Sequence, residues 1–329
     1  MPSKGMPVSN SGGSRIAGAV PVLAMPFDED GAIDEASLRR ELDFCIEAGS
    51  QAIAFGMGSE SAMLTDAERA QVWSLAGQHL DGQLPLIAAT AHASREGTIA
   101  LTHLARECGV TCAMVNPAPF GSDQLVGLFR DLSDRVDLSL MVQDAGGDAP
   151  ATVLLQAVDT AARVSCLKLE SPGTPQKVGA VVEGLQQRGL LGSSASREIT
   201  VLGGGNGNLL PEELDRGSVG TMPHPALIDG FRTVCDRYAT GDSTGSQEVY
   251  QHTVAPVLRA VATSGAGSTM LWLQKTLFCR AGILRTTYCR RPAQALPDWL
   301  MEQVLRHLDT TDLVIARLLR ANTARRGSN

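Results

Sequence analysis

VSCLKLE, residues 164–170, is a short apolar run with a lysine and a glutamate two residues apart near its end. Segments of helical period flank it: one opened by Pro150, the other covering about 175–188. A run of this length between helices reads as a strand buried on both faces, as in a parallel sheet. The same rhythm repeats outward in both directions. GAVPVLAMPF (18–27), QAIAFGMG (51–58), LPLIAAT (84–90), TCAMVNP (111–117) and LSLMVQD (138–144) precede it; EITVLGGG (198–205) and SVGTM (218–222) follow. Amphipathic segments lie between them. Asp34 opens a helix carrying Leu38, Leu42, Cys45 and Ile46, and Thr65 with Glu68 forms a capping box for another.

Eight such units in about 240 residues predict an α/β fold, a (β/α)8 TIM barrel, rather than an open doubly wound sheet. A dinucleotide-binding sheet would carry G-x-G-x-x-G after its first strand; Pro21 and Pro26 stand there instead. Beyond Thr240 only helical patterning remains, over about 246–264, 268–284 and 297–319. The expected organisation is a disordered tail (1–15), a barrel (16–241), a C-terminal helical appendage (242–320) and a frayed tail (321–329).

Composition narrows the function. The 329 residues carry a net charge of −7, which argues against a basic nucleic-acid binder or membrane-surface protein. No apolar run approaches a membrane span, and MPSKGMPVSNSGGS (1–14) has no apolar core of a signal peptide. Seven scattered cysteines are no disulfide framework and imply a reduced, cytoplasmic protein. No CxxC, HExxH or HxH spacing suggests a metal, and no cofactor is expected. His92 and His224 fall at strand ends and read as polar lining rather than as metal ligands.

Function in a barrel sits at the C-terminal ends of the strands. Lys168 is there, and it is the one lysine of four in a strand; Lys4, Lys177 and Lys275 are the others. A desolvated lysine has a lowered pKa and can attack a carbonyl to form a Schiff base; the alternative is a lysine snorkelling into an ion pair. Glu170 shares the face of Lys168. It could carry protons for the substrate, or simply neutralise the lysine. Gly56-Met57-Gly58-Ser59-Glu60-Ser61 could present successive N–H groups to a carboxylate, or be a turn before the capped helix. Gly203-Gly204-Gly205-Asn206-Gly207 fails the dinucleotide and P-loop patterns and reads best as room for substrate.

Four motifs together resemble the dihydrodipicolinate synthase/N-acetylneuraminate lyase family of class I lyases, over roughly residues 16–298. They are GAVPVLAMPFDEDGAIDEASL (18–38), GMGSESAMLTDAER (56–69), CLKLE (166–170) and KTLFCRAGILRTTYCRRP (275–292). The resemblance implies that Lys168 forms an imine with the 2-oxo group of pyruvate or a keto-deoxy sugar acid. It implies that backbone amides at Gly58 and Ser59 hold the substrate carboxylate; Gly204 and Gly205, on the glycine-rich loop already read as room for substrate, would line the site. It also implies a homo-oligomer, dimer or tetramer, for which Leu271, Leu273, Leu277 and Phe278 offer apolar helical faces.

The departures from the family pattern are informative. The usual Y-N-x-P motif on strand five becomes VQDAGGDAP (142–150), so Gln143 replaces the proton-relay tyrosine. No tyrosine occurs before Tyr238. Glutamine at that position with K-x-E on strand six resembles the 2-keto-3-deoxy sugar-acid dehydratase branch. There Glu170 would take over the proton work, helped by Ser59 or water, while Gln143 would meet substrate. Three other readings are a 4-hydroxy-tetrahydrodipicolinate synthase-type condensation, a non-catalytic barrel that binds a 2-oxo acid, and a metal-dependent aldolase, which the scattered His, Asp and Glu disfavour.

Overall fold

The computed structural model describes residues 15–147, 149–265 and 268–326. The eight runs form eight parallel strands: β1 Gly18–Ala19, β2 Ile53–Phe55, β3 Leu86–Ala89, β4 Cys112–Val115, β5 Ser139–Asp144, β6 Val164–Leu169, β7 Thr200–Gly203 and β8 Gly220–Thr221. From β2 to β8 each strand pairs with its sequence neighbours, and β1 pairs with β8. Closure comes just after β1. There the chain bonds both neighbours: the Val22 N–H reaches the Pro223 carbonyl at 2.8 Å beyond β8, while on the β2 side Val22 bridges Ala54, the Ala54 N–H reaches the Pro21 carbonyl at 3.0 Å and the Leu23 N–H reaches the Ala54 carbonyl at 2.9 Å. The result is the expected barrel.

Around it run α1 Glu35–Glu47, α2 Asp66–Leu80, α3 Arg95–Glu107, α4 Gly121–Arg135, α5 Ala151–Thr160, α6 Thr174–Gln187, the short α7 Leu210–Leu214 and α8 Ile228–Ala239. The starts predicted from sequence hold locally. Asp34 caps α1 by accepting from the Ser37 N–H, and the Thr65/Glu68 box is reciprocal at 3.2 and 2.9 Å. Apolar side chains then separate by the two-residue period of a strand. Val20, Ala54, Ile87, Met114, Met141, Cys166, Leu202 and Met222 fill the barrel, whereas Phe55, Ala113, Val142, Leu167, Leu169 and Val201 pack outward under the helices. On β6 this parity turns Cys166 inward and places Lys168 on the same face, one layer nearer the mouth.

The appendage differs from its sequence reading in three places. The first helix is α9 Ser243–Val249, a π-helical turn Tyr250–Val254, and α10 Ala255–Thr263. Pro256 cannot donate to the carbonyl four residues back, and the ladder widens locally, Ala255 N–H bonding to Tyr250 O. After α11 Thr269–Arg280, the expected single helix over 297–319 is two, α12 Asp298–Asp309 and α13 Val314–Arg326. Thr310 and Thr311 turn their hydroxyls back onto the carbonyls of His307 and Leu308, and Asp229 accepts the Val314 N–H at 2.7 Å. Third, residues 321–326, expected as part of a frayed tail, continue α13. Residues 327–329 and 1–14 of the expected tails lie outside the described residues. Leu271, Leu273, Leu277 and Phe278 are not an oligomer face: each is at most 3% exposed within this chain. Among the described residues no helix is long and apolar enough to cross a membrane.

Candidate active site

The barrel mouth holds a cavity of about 250 Å³, lined by Lys168, Glu170, Gly58, Met57, Gly205, Asn206, Val22, Met222 and His224, and by Met270, Leu271, Gln274 and Arg291 of the appendage. A larger groove, about 690 Å³, lies wholly among α11, α12 and α13. It contains neither a lysine nor a carboxylate paired with one, whereas the smaller cavity contains both, which makes it the candidate site.

Lys168 is 5% exposed, and its Nζ lies 3.1 Å from Glu170 Oε1. Glu170 follows β6 directly, its N–H extending the ladder to Asp144 O at 3.0 Å. Its carboxylate is held from three sides. Lys168 and the Gln143 amide, 2.5 Å away, take Oε1, while the Gly205 N–H reaches Oε2 at 3.2 Å. Burial alone would raise its pKa. Lys168, then the hydrogen bonds from Gln143 and Gly205, outweigh burial and hold the carboxyl below its ordinary value. Glu170 is therefore an oriented carboxylate beside the lysine.

Strand register explains Gln143: it is the Cα partner of Lys168 across β5 and β6. It is buried and bonded to Glu170 and does not line the cavity. The structure thus places it as a support for the glutamate, where the sequence suggested contact with substrate. Gly204 likewise does not line the cavity. A Cβ there would stand 2.4 Å from Glu170 Oε2, so the room it makes is occupied by Glu170. Gly205 does line the cavity.

The Gly56 loop folds as two successive 3-10 turns, Met57–Ser59 and Ser61–Met63. Gly58 reaches the cavity, where a Cβ would press on Val22 at 3.2 Å. Ser59 does not: it is fully buried, and its Oγ accepts the Gly56 N–H at 3.1 Å. The expected help of its hydroxyl in proton transfer finds no support in that placement. Glu60 adopts a left-handed backbone, φ 52°, unusual for a non-glycine residue. Lys275 Nζ at 2.6 Å and the Arg291 N–H at 2.7 Å hold its carboxylate, and the Lys275–Glu60 side chains are wholly buried.

Sequence reasoning did not single out Gln274, Arg291 or the Lys275–Glu60 pair as site components. His224 carried a signal, since it follows the inward-facing Met222 by two residues. Lys177 is tied elsewhere, to Asp144 at 2.9 Å. Among the described residues no cluster of His, Cys, Asp and Glu could hold a metal ion.

Comparison with known proteins agrees with this architecture. The sequence profile of the dihydrodipicolinate synthetase family matches residues 15–164, ending at the first residue of β6. The chain is 26% identical over 316 residues to L-2-keto-3-deoxyarabonate dehydratase of Azospirillum brasilense, covering 92% of this chain and 97% of the relative. It is 30% identical over 203 residues to 4-hydroxy-tetrahydrodipicolinate synthase of Pseudomonas aeruginosa, covering 59% of this chain and 69% of the relative. Among solved structures, dihydrodipicolinate synthase of Rhodopseudomonas palustris superposes with a TM-score of 0.78 at 23% identity, covering 89% of this chain and 97% of that one. The Thermotoga maritima enzyme gives 0.80 at 20% identity, covering 92% and 100%. The chain belongs to the dihydrodipicolinate synthetase family.

Proposed function

We propose that this protein is a class I lyase that dehydrates a 2-keto-3-deoxy sugar acid through a Schiff base on Lys168. The observation that carries the reading is the Lys168–Glu170 pair, with the carboxylate oriented by Gln143 and Gly205. Similarity to the Azospirillum dehydratase over nearly both chains supports it.

The Lys168 ammonium gives a proton to solvent and the free amine adds to the substrate carbonyl at C2, the hydroxyl so formed taking up a proton to leave as water. Loss of water leaves an iminium, which acidifies the C3–H bond. C3 lies two bonds from Nζ, about 2.5 Å away, so a carboxylate already 3.1 Å from Nζ can reach its proton. The electron pair of the C3–H bond forms the C2–C3 double bond of an enamine as the iminium pair moves onto nitrogen; the enamine then re-forms the iminium, its C2–C3 pair becoming the C3–C4 double bond while Glu170 gives its proton to the departing C4 hydroxyl, which leaves as water. Hydrolysis of the iminium returns Lys168 and releases the dehydrated 2-oxo acid, which tautomerises to a semialdehyde. The Gly58 backbone, which lines the cavity, is the loop's donor to the substrate carboxylate; the Ser59 N–H, expected to share that role, is already bonded to the Gly56 carbonyl at 3.0 Å.

Borohydride trapping with pyruvate, read by mass spectrometry, tests the imine. Product analysis with a 2-keto-3-deoxypentonate tests the dehydration. Release of pyruvate plus an aldehyde would reassign the protein to aldol cleavage, and rapid condensation of pyruvate with aspartate semialdehyde to the synthase reaction. We place the protein in the cytoplasm as a homo-oligomer, a dimer or a dimer of dimers. Its cysteines among the described residues are all free thiols, in keeping with a reducing compartment; recovery in a secreted fraction of the source cells would contradict that location.

A further inference from the structure

Ten buried side-chain polar atoms among the described residues have no hydrogen-bond partner, and four of them belong to three residues lining the mouth cavity. They are both ring nitrogens of His224, Oε1 of Gln274 and Nε of Arg291. His224 is 3% exposed and Gln274 2%. Buried polar groups are nearly always paired, and those left unpaired call for a specific reason, such as a catalytic or ligand-binding role. None of the three takes part in the Lys168–Glu170 chemistry, so the cavity has polar capacity beyond what imine formation needs.

The chemical character of these groups narrows the ligand. Burial pushes the His224 pKa down to about 4, so at neutral pH its ring carries one donor and one acceptor. Gln274 adds an amide with both functions. Such groups suit a hydroxyl, which donates and accepts. Gln274 shares its helix face with Met270 and Leu271, four and three residues back, so α11 presents one amide on an otherwise apolar wall. Val22 and Met222 continue the apolar lining from the barrel. The cavity's 250 Å³ exceeds the volume share of about eight waters, leaving room for a chain longer than pyruvate.

We propose that His224 and Gln274 form a hydroxyl-recognition wall that selects 2-oxo acids bearing hydroxyls beyond C3 over pyruvate. The inference rests on the Schiff-base reading of Lys168 and extends it. Barrel and appendage then contribute different parts of the site: β6 supplies the nucleophile, while the end of β8 and α11 supply the specificity. A site built to bond a hydroxyl rejects an analogue lacking it, because its own polar groups stay unpaired.

The test compares two readouts in purified wild type, His224→Phe, His224→Asn and Gln274→Met. One is steady-state dehydration of a 2-keto-3-deoxypentonate; the other is the rate of borohydride trapping with pyruvate, which engages Lys168 without any hydroxyl. His224→Phe and Gln274→Met should each raise KM for the sugar acid about tenfold or more, with a smaller change in kcat. Pyruvate trapping should change much less, and His224→Asn, which keeps a donor and an acceptor, should recover most of the loss. Gln274→Met reads the wall independently if a His224 variant fails to fold. Equal losses in both readouts, or an unchanged KM in both apolar variants, would overturn the proposal. A wild type that traps no 2-oxo acid would overturn the imine reading itself, and this inference with it.

Discussion

At the residue scale the proposed site pairs Lys168 with Glu170, whose carboxylate is held by Gln143 and the Gly205 N–H. Lys168→Ala should abolish borohydride trapping with pyruvate. Lys168→Arg should do the same, because a guanidinium cannot supply a neutral amine. Lys177→Ala should leave trapping intact, since that ammonium is paired with Asp144; survival of trapping in Lys168→Ala would contradict the mechanism. Glu170→Gln should cost kcat about 10²–10⁴-fold, the range of general acid–base catalysis, and should cost trapping much less. Gly204→Ala attacks the same carboxylate without touching it chemically. Its methyl would lie within 2.5 Å of Glu170 Oε2 and Cβ, so Glu170 must move off Lys168. Single-turnover kinetics should show slow proton transfer with imine formation largely retained. Normal turnover in Gly204→Ala would mean that the position of Glu170 does not matter.

At the scale of elements, α11 and the segment after it are fastened to the Gly56 loop. Lys275 bridges Glu60 and the Tyr288 carbonyl, both at 2.6 Å. Arg290 grips Glu68 at 2.5 and 2.9 Å and also reaches the carbonyls of Gly31 and Met63. The starts of α1 and α2 are both tied to this C-terminal segment, the first through Arg285, whose Nε reaches the capping Asp34 at 2.7 Å. Breaking a buried pair by removing one partner strands a charge, at a cost of about 3–5 kcal/mol. Lys275→Met should lose about that much in denaturant unfolding, and adding Glu60→Gln should recover part of it by removing the stranded carboxylate. A double variant no more stable than Lys275→Met would show that the loss comes from packing alone. Thr65→Ala removes only a cap on an exposed helix start and should cost about 1 kcal/mol.

At the scale of the whole molecule, pH acts through buried carboxyls remote from one another in sequence. Burial pushes Glu41 and Glu213 up to about 8 from an ordinary 4.5. The fold therefore binds these protons more tightly than the unfolded chain, and the stability they contribute is full below 4.5 and lost as pH rises through about 8. His224 works in the opposite sense but only between about 4 and 6.5, which leaves a clean window above it. Thermal unfolding at pH 6.5 and pH 8 should show wild type less stable at the higher value, and Glu41→Gln with Glu213→Gln should flatten the difference; a flat wild-type profile would refute the assignment. Light scattering at micromolar concentration should show a homo-oligomer, and a monomer would sink that proposal. The face involved is not that of Leu271, Leu273, Leu277 and Phe278, which the chain has already buried. The sequence by itself determined the eight strands, the helix starts at Asp34 and Thr65, and the shared face of Lys168 and Glu170. These follow from the two-residue period of a strand, the 3.6-residue period of a helix and capping within four residues, all local consequences of backbone geometry. Only the tertiary structure decided that Gln143 supports Glu170, that Gly204 makes space for that glutamate, that Ser59 faces its own backbone, and that Lys275 meets Glu60 across 215 residues. Those contacts depend on the register between β5 and β6, on barrel closure and on the docking of α11, which long-range packing fixes and no local period encodes.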